Sequence, residues 1–201
     1  MGGWRALGVN GRSLPPGYPT LPDYLRRGLA IVFVGINPGL FSAQQGHYFA
    51  RLTSRFWPAF SQSRLSKPVR HGLGVELLRP EHDRELPRFG FGLTDVVKRA
   101  SSNASQLSPH EFEAGVPVLV HKLRRYRPKI ACFHGLTAYR PFASVAFRTL
   151  HPLLGPQPQS IASTQLYVVP NPSPANAHFT LSEQTAWYDR LAAFLEGLTG
   201  S

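Results

Sequence analysis

A strongly apolar segment that ends in a constrained polar loop is the feature that most limits how this chain can fold. The segment reads LAIVFV at residues 29–34 and is followed by GINPGL at residues 35–40. A continuous apolar, β-branched run bounded by glycine is typical of a strand buried in a parallel sheet. Pro38 stiffens the following loop, whereas the flanking glycines give its backbone freedom. Because open α/β sheets bind ligands beyond the carboxyl ends of their strands, Asn37 lies where a ligand is expected.

Strand and helix patterns alternate along the rest of the chain, which predicts an α/β fold with a parallel sheet and helices on both faces. The predicted strands cover residues 30–34, 89–97, 129–133 and 165–169. The predicted helices cover residues 53–65, 108–126, 137–149 and 181–198, with a short one around residues 24–27. The Gly- and Pro-rich segments 68–87 and 151–160 are predicted to be loops, the first with room for a single helical turn.

The helix predicted from Ser108 has a clear beginning. Ser108 is followed by Pro109 and Glu111, the pattern of a capping box with proline in the first turn. Pro117 lies inside the segment and predicts a kink or an early break.

One domain is the default for 201 residues, and we expect it to span residues 21–201. Residues 1–20 combine several glycines and prolines without periodicity, which predicts a loose, basic N-terminal segment. No apolar run reaches the length of a membrane span, and no secretory signal opens the chain. We therefore expect a cytoplasmic, nucleoid-associated monomer without a membrane partner.

The chain is strongly basic and nearly free of cysteine. Its 22 Lys and Arg against 11 Asp and Glu give a net charge of +11. A charge of this size indicates a polyanionic partner such as nucleic acid; the alternative explanation is that it only keeps the protein soluble. Cys132, the only cysteine, excludes an internal disulfide, a Cys-based zinc site and a cysteine-ligated iron–sulfur cluster. It lies in the apolar run 130–133, typical of a buried, inert thiol. We expect no metal and no cofactor.

Three polar loops follow predicted strands, at residues 37–39, 94–95 and 171–173. In a parallel sheet these loops converge at one edge and bring together two amides, a carboxylate and small hydroxyls. Such a set suits the positioning of water and the stabilisation of a developing charge. Each loop alone is weak support, since Asn-Pro is also a common turn dipeptide.

The motifs in these loops resemble those of the mismatch-specific uracil/thymine-DNA glycosylases, a branch of the uracil-DNA glycosylase superfamily. GINPGL at 35–40 is continued by GHYF at 46–49 and RFW at 55–57, and GLT at 92–94 and VPNPS at 169–173 follow in order. The likeness spans roughly residues 29–198. It implies a three-layer α/β/α sandwich with a central, mostly parallel sheet. It also implies a monofunctional, metal-free enzyme that flips a uracil or a mismatched or modified pyrimidine out of DNA and cleaves its N-glycosidic bond.

The resemblance assigns roles to several residues. Asn37 would hold the attacking water, Phe49 would stack on the flipped base, and Asn171 would lie beside the base and its phosphate. Ile36 is placed with the base-binding residues, and Ser173 would bind the DNA backbone.

Asp95 departs from the family pattern, which commonly has an amide or a lysine after Gly-x-Thr. An enzyme that has only the Asn37 amide should activate water poorly, so Asp95 is a candidate general base. The structural alternative is that Asp95 caps a helix near residues 96–97, or pairs with Lys98 or Arg99.

The second motif also departs from the family. Ala175 is too small to be a strong wedge in the space left by a flipped base, so strong reading of the opposite strand is not expected. Asn176 is a candidate for hydrogen bonding in that space, or belongs to a simple polar loop. His178 is a candidate DNA contact in the same loop.

The remaining basic and aromatic residues separate into phosphate contacts and structural groups. Arg51, Arg55 and Lys98 are the predicted phosphate contacts because they lie closest to the motifs. His47 and His134 are predicted to be ordinary surface groups. The aromatic side chains Phe56, Trp57 and Phe60 have helical spacing and are predicted to pack in the core.

Two other functions compete with the glycosylase. A DNA-binding protein that keeps the fold without catalysis, or with weak catalysis, is consistent with the small wedge residue. A small-molecule hydrolase is disfavoured by the charge and by the lack of a Gly-x-Ser-x-Gly motif.

Overall fold

The computed structural model describes residues 20–148 and 151–200, so nearly all of the predicted N-terminal segment lies outside it. The described residues form five strands and six α-helices. The strands are β1 (Ile31–Gly35), β2 (Phe91–Asp95), β3 (Ile130–His134), β4 (Gly155–Ile161) and β5 (Thr164–Val169). The helices are α1 (Leu40–Gln45), α2 (Phe56–Gln62), α3 (Lys67–Leu73), α4 (Pro109–Tyr126), α5 (Leu136–Phe147) and α6 (Leu181–Thr199). Single 3₁₀ turns cover residues 64–66, 80–82, 86–89 and 104–106.

The five strands form one sheet in the order β2-β1-β3-β5-β4. The pairs β1–β2, β1–β3 and β3–β5 are parallel, and β4 runs antiparallel to β5. The four parallel strands therefore end at the same edge of the sheet, which brings the loops after them together. The predicted central, mostly parallel sheet is confirmed.

Both faces of the sheet are covered by helices. Along β1, Ile31 and Phe33 belong to a core cluster that includes residues of α2 and α6. Val32 and Val34 alternate with them and belong to a second cluster, which includes residues of α4 and α5. Because successive strand residues point to opposite faces, this alternation shows two cores, one on each side. The α/β/α arrangement is confirmed.

The first core is built around aromatic rings. Phe33 is fully buried and lies 5.4 Å from Phe56, 5.5 Å from Phe60 and 5.9 Å from Phe91, between ring centroids. Trp57 is also buried, and its indole N–H donates to the carbonyl of residue 48 at 2.9 Å. The prediction that the aromatic residues of α2 pack in the core is confirmed.

One predicted loop is a strand. Residues 151–160 contain most of β4, which pairs with β5 along one side only. Pro156 and Pro158 lack the N–H that a central strand needs, but an edge strand can place such residues away from its partner. The pairing is also irregular between Pro156 and Ser160. Proline content indicated a loop because the sequence pattern does not show which strands lie at the edge.

Three smaller predictions also need correction. The segment 68–87 contains most of α3, the whole 3₁₀ turn at 80–82 and part of the turn at 86–89, rather than a loop with one turn. No helix forms at residues 24–27, because Tyr24 pairs its backbone with Leu93 of β2. Helix α4 begins with the predicted capping box at Ser108 but continues past Pro117 without a break. None of the helices within residues 20–148 and 151–200 is long and apolar enough to span a membrane.

Replacement of Phe33 tests the importance of the aromatic core. Phe33→Ala is expected to lower the free energy of unfolding by about 3–5 kcal/mol, since the ring leaves a cavity between packed neighbours. Urea denaturation followed by circular dichroism measures the change. Leu198→Ala, at an exposed position of α6, is the control and should change stability by less than about 0.5 kcal/mol. Equal losses in the two variants would contradict the assignment of this core.

Candidate active site

A cavity of about 230 Å³ lies at the edge of the sheet where the parallel strands end. Its walls come from the loops after β1 and β5, the ends of β1, β2 and β3, and the segment 41–54. It is lined by many of the residues that the sequence singled out: Ile36, Asn37, Phe49, Arg51, Asp95, Asn171 and Ser173. The predicted convergence of the three polar loops is therefore what the structure contains.

Asp95 lies in the wall of this cavity and is only 3 % exposed. It pairs in register with Gly35 of the neighbouring strand. A Cβ atom built on Gly35 would overlap Oδ1 of Asp95, so a glycine is required for the carboxylate to occupy this position. The first glycine of the GINPGL motif thus makes room for a carboxylate on a different strand.

Burial raises the pKa of Asp95 to about 6. Lys98 partly opposes this shift, with its Nζ 3.8 Å from Oδ2, whereas the nearby charge of Asp23 adds to it. The Tyr48 hydroxyl beside the carboxyl also opposes the shift in pKa, whereas Oδ2 has no partner at good hydrogen-bond geometry among the residues that the structure describes. A carboxylate that is poorly solvated and has a pKa close to neutrality has the properties of a general base.

The charges behind Asp95 form a compact network. Asp23 accepts from Lys98 at 3.0 Å, from Lys122 at 2.6 Å and from the Thr94 hydroxyl at 2.7 Å. Lys98 is thereby engaged with carboxylates, which argues against the phosphate contact predicted for it. The network holds the ammonium group of Lys98 near Asp95.

The structural alternatives for Asp95 are only partly present. The next helical turn after β2 begins at residue 104, so Asp95 does not cap a helix at 96–97. Arg99 instead binds Glu111, with nitrogen–oxygen distances of 2.6 and 3.0 Å. The pairing with Lys98 exists at 3.8 Å, beyond hydrogen-bond distance.

Asn37 is fixed by hydrogen bonds from its side-chain amide. Its Nδ2 donates to the carbonyl of Arg99 and to the hydroxyl of Ser101, both at 2.8 Å. Since a carbonyl only accepts hydrogen bonds, the nitrogen must face Arg99, and Oδ1 is the group that can bind a ligand. Asn37 therefore offers the cavity a rigid acceptor, suited to a water molecule.

Phe49 forms an aromatic wall held in a strained conformation. Its φ of 54° lies in the left-handed region, which non-glycine residues seldom adopt and which clusters at functional sites. Its ring stacks on Phe56 with centroids 4.1 Å apart and planes 19° apart. Phe56 therefore supports Phe49 from within the core, while Phe49 itself lines the cavity.

Asn171 is held in a tight turn after β5. Its Oδ1 accepts from the backbone N–H of Ser173 at 2.9 Å, so its Nδ2 is the group that can donate to a ligand. A Cβ on Gly135, whose φ is +92°, would overlap the side chain of Asn171. The backbone carbonyl of Asn171 accepts from Nδ2 of Asn176 at 2.9 Å. Asn176 thus stabilises the loop, rather than standing free for DNA.

The second motif loop is also held by Arg55. Its guanidinium donates to the backbone carbonyls of Phe179 and Ser173 at 2.8 Å and of Asn176 at 2.6 Å. These bonds argue against the phosphate contact predicted for Arg55. Of the three predicted phosphate contacts, Arg51 is the exposed side chain at the cavity.

Ala175 and His178 are exposed and lie outside the lining of the cavity. Their predicted contacts with DNA remain predictions.

Cys132 is fully buried in β3, and burial raises the pKa of its thiol well above the usual range, as expected of an inert group. Within residues 20–148 and 151–200, no three His, Cys, Asp or Glu side chains lie together in a set that could hold a metal ion.

The family follows from a comparison over most of the chain. Residues 22–195 match the family model described as the Uracil DNA glycosylase superfamily. The chain belongs to this superfamily. Membership indicates a DNA glycosylase, a hydrolase that acts on N-glycosidic bonds in DNA, as the sequence motifs predicted. The family model describes the superfamily as a whole and not one of its branches. The matched residues include both motif loops of the cavity.

For a member of this superfamily, His134 is the residue that sequence reasoning missed. It is 2 % exposed, lines the cavity, and has Nε2 2.9 Å from the hydroxyl of Tyr188. Burial lowers its pKa to about 3, so the imidazole is neutral. The prediction of a surface histidine is wrong here, and also for His47, which is paired with the buried Asp83 at 3.1 Å. For His134, the position at the end of a buried strand was the signal in the sequence that could have indicated a buried side chain at the site.

The raised pKa of Asp95 predicts a pH-dependent cost in stability. Because the pKa is about 6 in the folded protein against an ordinary 3.8, ionisation opposes folding, and the cost develops as pH rises between these values. Asp95→Asn, which is neutral at every pH, should be more stable than wild type by about 1–3 kcal/mol at pH 8. The difference should largely disappear at pH 4.

Chemical denaturation at the two pH values measures this effect. Glu113→Gln removes an exposed carboxylate and should leave stability unchanged at both. A constant difference between Asp95→Asn and wild type from pH 4 to pH 8 would show that the carboxylate has an ordinary pKa.

Proposed function

We propose that this protein is a monofunctional glycosylase of the mismatch-specific uracil branch, which removes uracil and related modified pyrimidines from DNA. The product is an abasic site, the substrate of the later steps of base excision repair. The observation that carries the proposal is the juxtaposition of Asp95, Asn37 and Phe49 in one cavity at the ends of the parallel strands. We further propose that the protein acts as a monomer on chromosomal DNA in the cytoplasm.

DNA binding is supported by charge. The net charge of +11 favours association with the phosphate backbone, and Arg51 at the cavity mouth is placed to contact a phosphate near the target nucleotide. A pyrimidine inside a duplex cannot reach a recessed cavity, so the target nucleotide must leave the base stack. The predicted contact of Ser173 with the DNA backbone fits its position in the wall.

Recognition of the flipped base is supported by an aromatic surface and a polar group. The Phe49 ring offers a rigid face that replaces the stacking lost from the duplex. Asn171 can donate from Nδ2 to a pyrimidine carbonyl, and Ile36 adds an apolar contact. A fixed donor favours a base that presents a carbonyl oxygen at this position, as uracil and thymine do.

The hydrolysis needs a water molecule and a group to receive its proton. Cleavage moves the C1′–N1 bonding electrons onto the base and leaves an oxocarbenium-like sugar. Asn37 Oδ1 orients the water, whose oxygen forms the new bond to C1′. Asp95 accepts the proton from that water, and its negative charge stabilises the sugar cation before the proton arrives.

The pH dependence and two variants test this mechanism. Under single-turnover conditions, the rate of uracil release should rise with pH and level off above an apparent pKa of about 6, as Asp95 ionises. Asp95→Asn should lower the plateau by about 10²–10⁴-fold and abolish this dependence, since an amide cannot take a proton. Asn37→Ala should lower the rate and keep the dependence. Glu113→Gln is the matched control and should have the wild-type rate.

The base panel and the binding measurement decide between this proposal and its alternative. DNA duplexes that contain uracil, thymine or an adducted cytosine opposite guanine define the preferred substrate. Full activity of Asp95→Asn would refute the assignment of the general base. Tight DNA binding without any alkali-labile abasic site would instead support a DNA-binding protein that has lost catalysis.

A further inference from the structure

A flipped nucleotide leaves a gap in the base stack, which an apolar side chain must fill to hold the extruded state. Such a side chain has to be exposed at the mouth of the cavity and large enough to replace a base. The second motif loop offers Ala175, which is exposed but has only a methyl group, and Pro174, whose short, closed ring is exposed and already lines the cavity. A larger exposed side chain elsewhere at the mouth of the cavity is the better candidate for the filling group, if the proposed function is correct.

Leu52 has the required exposure. It is 98 % exposed, more than any other large apolar side chain in residues 20–148 and 151–200. A leucine in this state makes almost no contact with its own protein, so its apolar surface contributes nothing to the fold. Isolated exposed leucines are common, and the position of this one is what distinguishes it.

Leu52 stands at the tip of a turn that borders the cavity, and its side chain lines a neighbouring depression of about 550 Å³ that shares Phe49 and Arg51 with it. The turn is closed by a bond from the N–H of Ser54 to the carbonyl of Arg51 at 2.8 Å, and both of these residues line the cavity. The N–H of Arg55 donates to the carbonyl of Pro172 at 3.0 Å, which joins the turn to the second motif loop. Leu52 is thus carried by a fixed turn between the Phe49 wall and that loop.

The neighbours of Leu52 suit a side chain that enters a duplex. Arg51 precedes it, is exposed, and lines the cavity, so a phosphate bound there would bring the base stack to the leucine. Phe41 of α1 also lines the cavity and is 41 % exposed, which extends the apolar surface at the same mouth.

We infer that Leu52 is the wedge residue of this protein, the side chain that enters the duplex and fills the space left by the flipped nucleotide. This inference rests on the proposed glycosylase function, and moves the wedge from the second motif to the turn that follows Phe49. Leu52 is a positioning residue, because it acts on the DNA stack and not on the reacting bond.

Uracil release from duplex and single-stranded DNA tests the inference. Leu52→Ala should lower the single-turnover rate on duplex DNA by at least about tenfold and leave the rate on single-stranded DNA unchanged, since a single strand has no stack to fill. Leu52→Met keeps the apolar bulk and should retain the duplex rate. A pyrene nucleotide opposite the uracil fills the gap from the other strand and should restore the rate of Leu52→Ala.

Leu153→Ala, at a leucine that is 76 % exposed beside β4, is the matched control and should leave both rates unchanged. Because Leu52 makes no core contact, Leu52→Ala should also keep the wild-type melting temperature. A wild-type duplex rate in Leu52→Ala would overturn the inference, as would an equal loss on both kinds of DNA. A loss in Pro174→Ala but not in Leu52→Ala would place the wedge in the second motif.

A second measurement separates this inference from the proposed function. The duplex contains 2′-fluoro-2′-deoxyuridine, whose glycosidic bond resists cleavage, with the fluorescent base 2-aminopurine in the opposite strand. Wild-type protein should increase the fluorescence by unstacking that base, and Leu52→Ala should not. The same increase with both proteins overturns the wedge even if uracil is released. No uracil release by the wild-type protein contradicts the proposed function, whatever the fluorescence shows.

Discussion

The parallel register between β1 and β2 is the constraint on which the site depends. It places Gly35 opposite Asp95, and only the missing side chain at Gly35 lets the carboxylate lie at the strand end beneath the cavity. Asn37 follows Gly35 by two residues in the sequence and lies in the loop that lines the same cavity. Burial of the carboxylate and its raised pKa therefore depend on this register, which also brings the carboxylate to the cavity that Asn37 lines. A one-residue shift of either strand would separate Asp95 from Gly35.

The loops that complete the cavity are stabilised by groups that do not touch it. Arg55 holds the second motif through three backbone carbonyls, and the Asp23 network holds Lys98 beside Asp95. A buried carboxylate whose Oδ2 has no partner at good hydrogen-bond geometry among the described residues opposes folding. The aromatic core around Phe33 supplies stability that can offset this cost, since large buried rings contribute much of the hydrophobic free energy. Basic residues near a motif are thus not always phosphate ligands.

The parallel sheet was predicted from the sequence more accurately than the long-range side-chain contacts were. Buried apolar runs and their spacing identified the four parallel strands, and parallel strands bring their following loops to one edge whatever the details of packing. The edge strand β4 was missed because its prolines are tolerated only where one side is unpaired. The roles of Arg55 and His134 were missed because their partners lie far away in sequence: Arg55 binds residues 118 to 124 positions away. Such long-range pairing follows from the folded topology and not from local pattern.

Asn37 and Asp95 have different roles in the proposed reaction because an amide and a carboxylate differ in chemistry. Both N–H groups of Asn37 are directed at the 99–101 loop, so the amide can orient a water molecule but cannot change its protonation. Asp95 can take a proton only when its carboxylate is ionised, and a pKa of about 6 leaves most of it ionised at neutral pH. A fully solvated carboxylate would be ionised more readily and would be a weaker base. Burial thus makes Asp95 a stronger base than a solvated carboxylate, and the missing side chain at Gly35 leaves room for the carboxylate in that buried position.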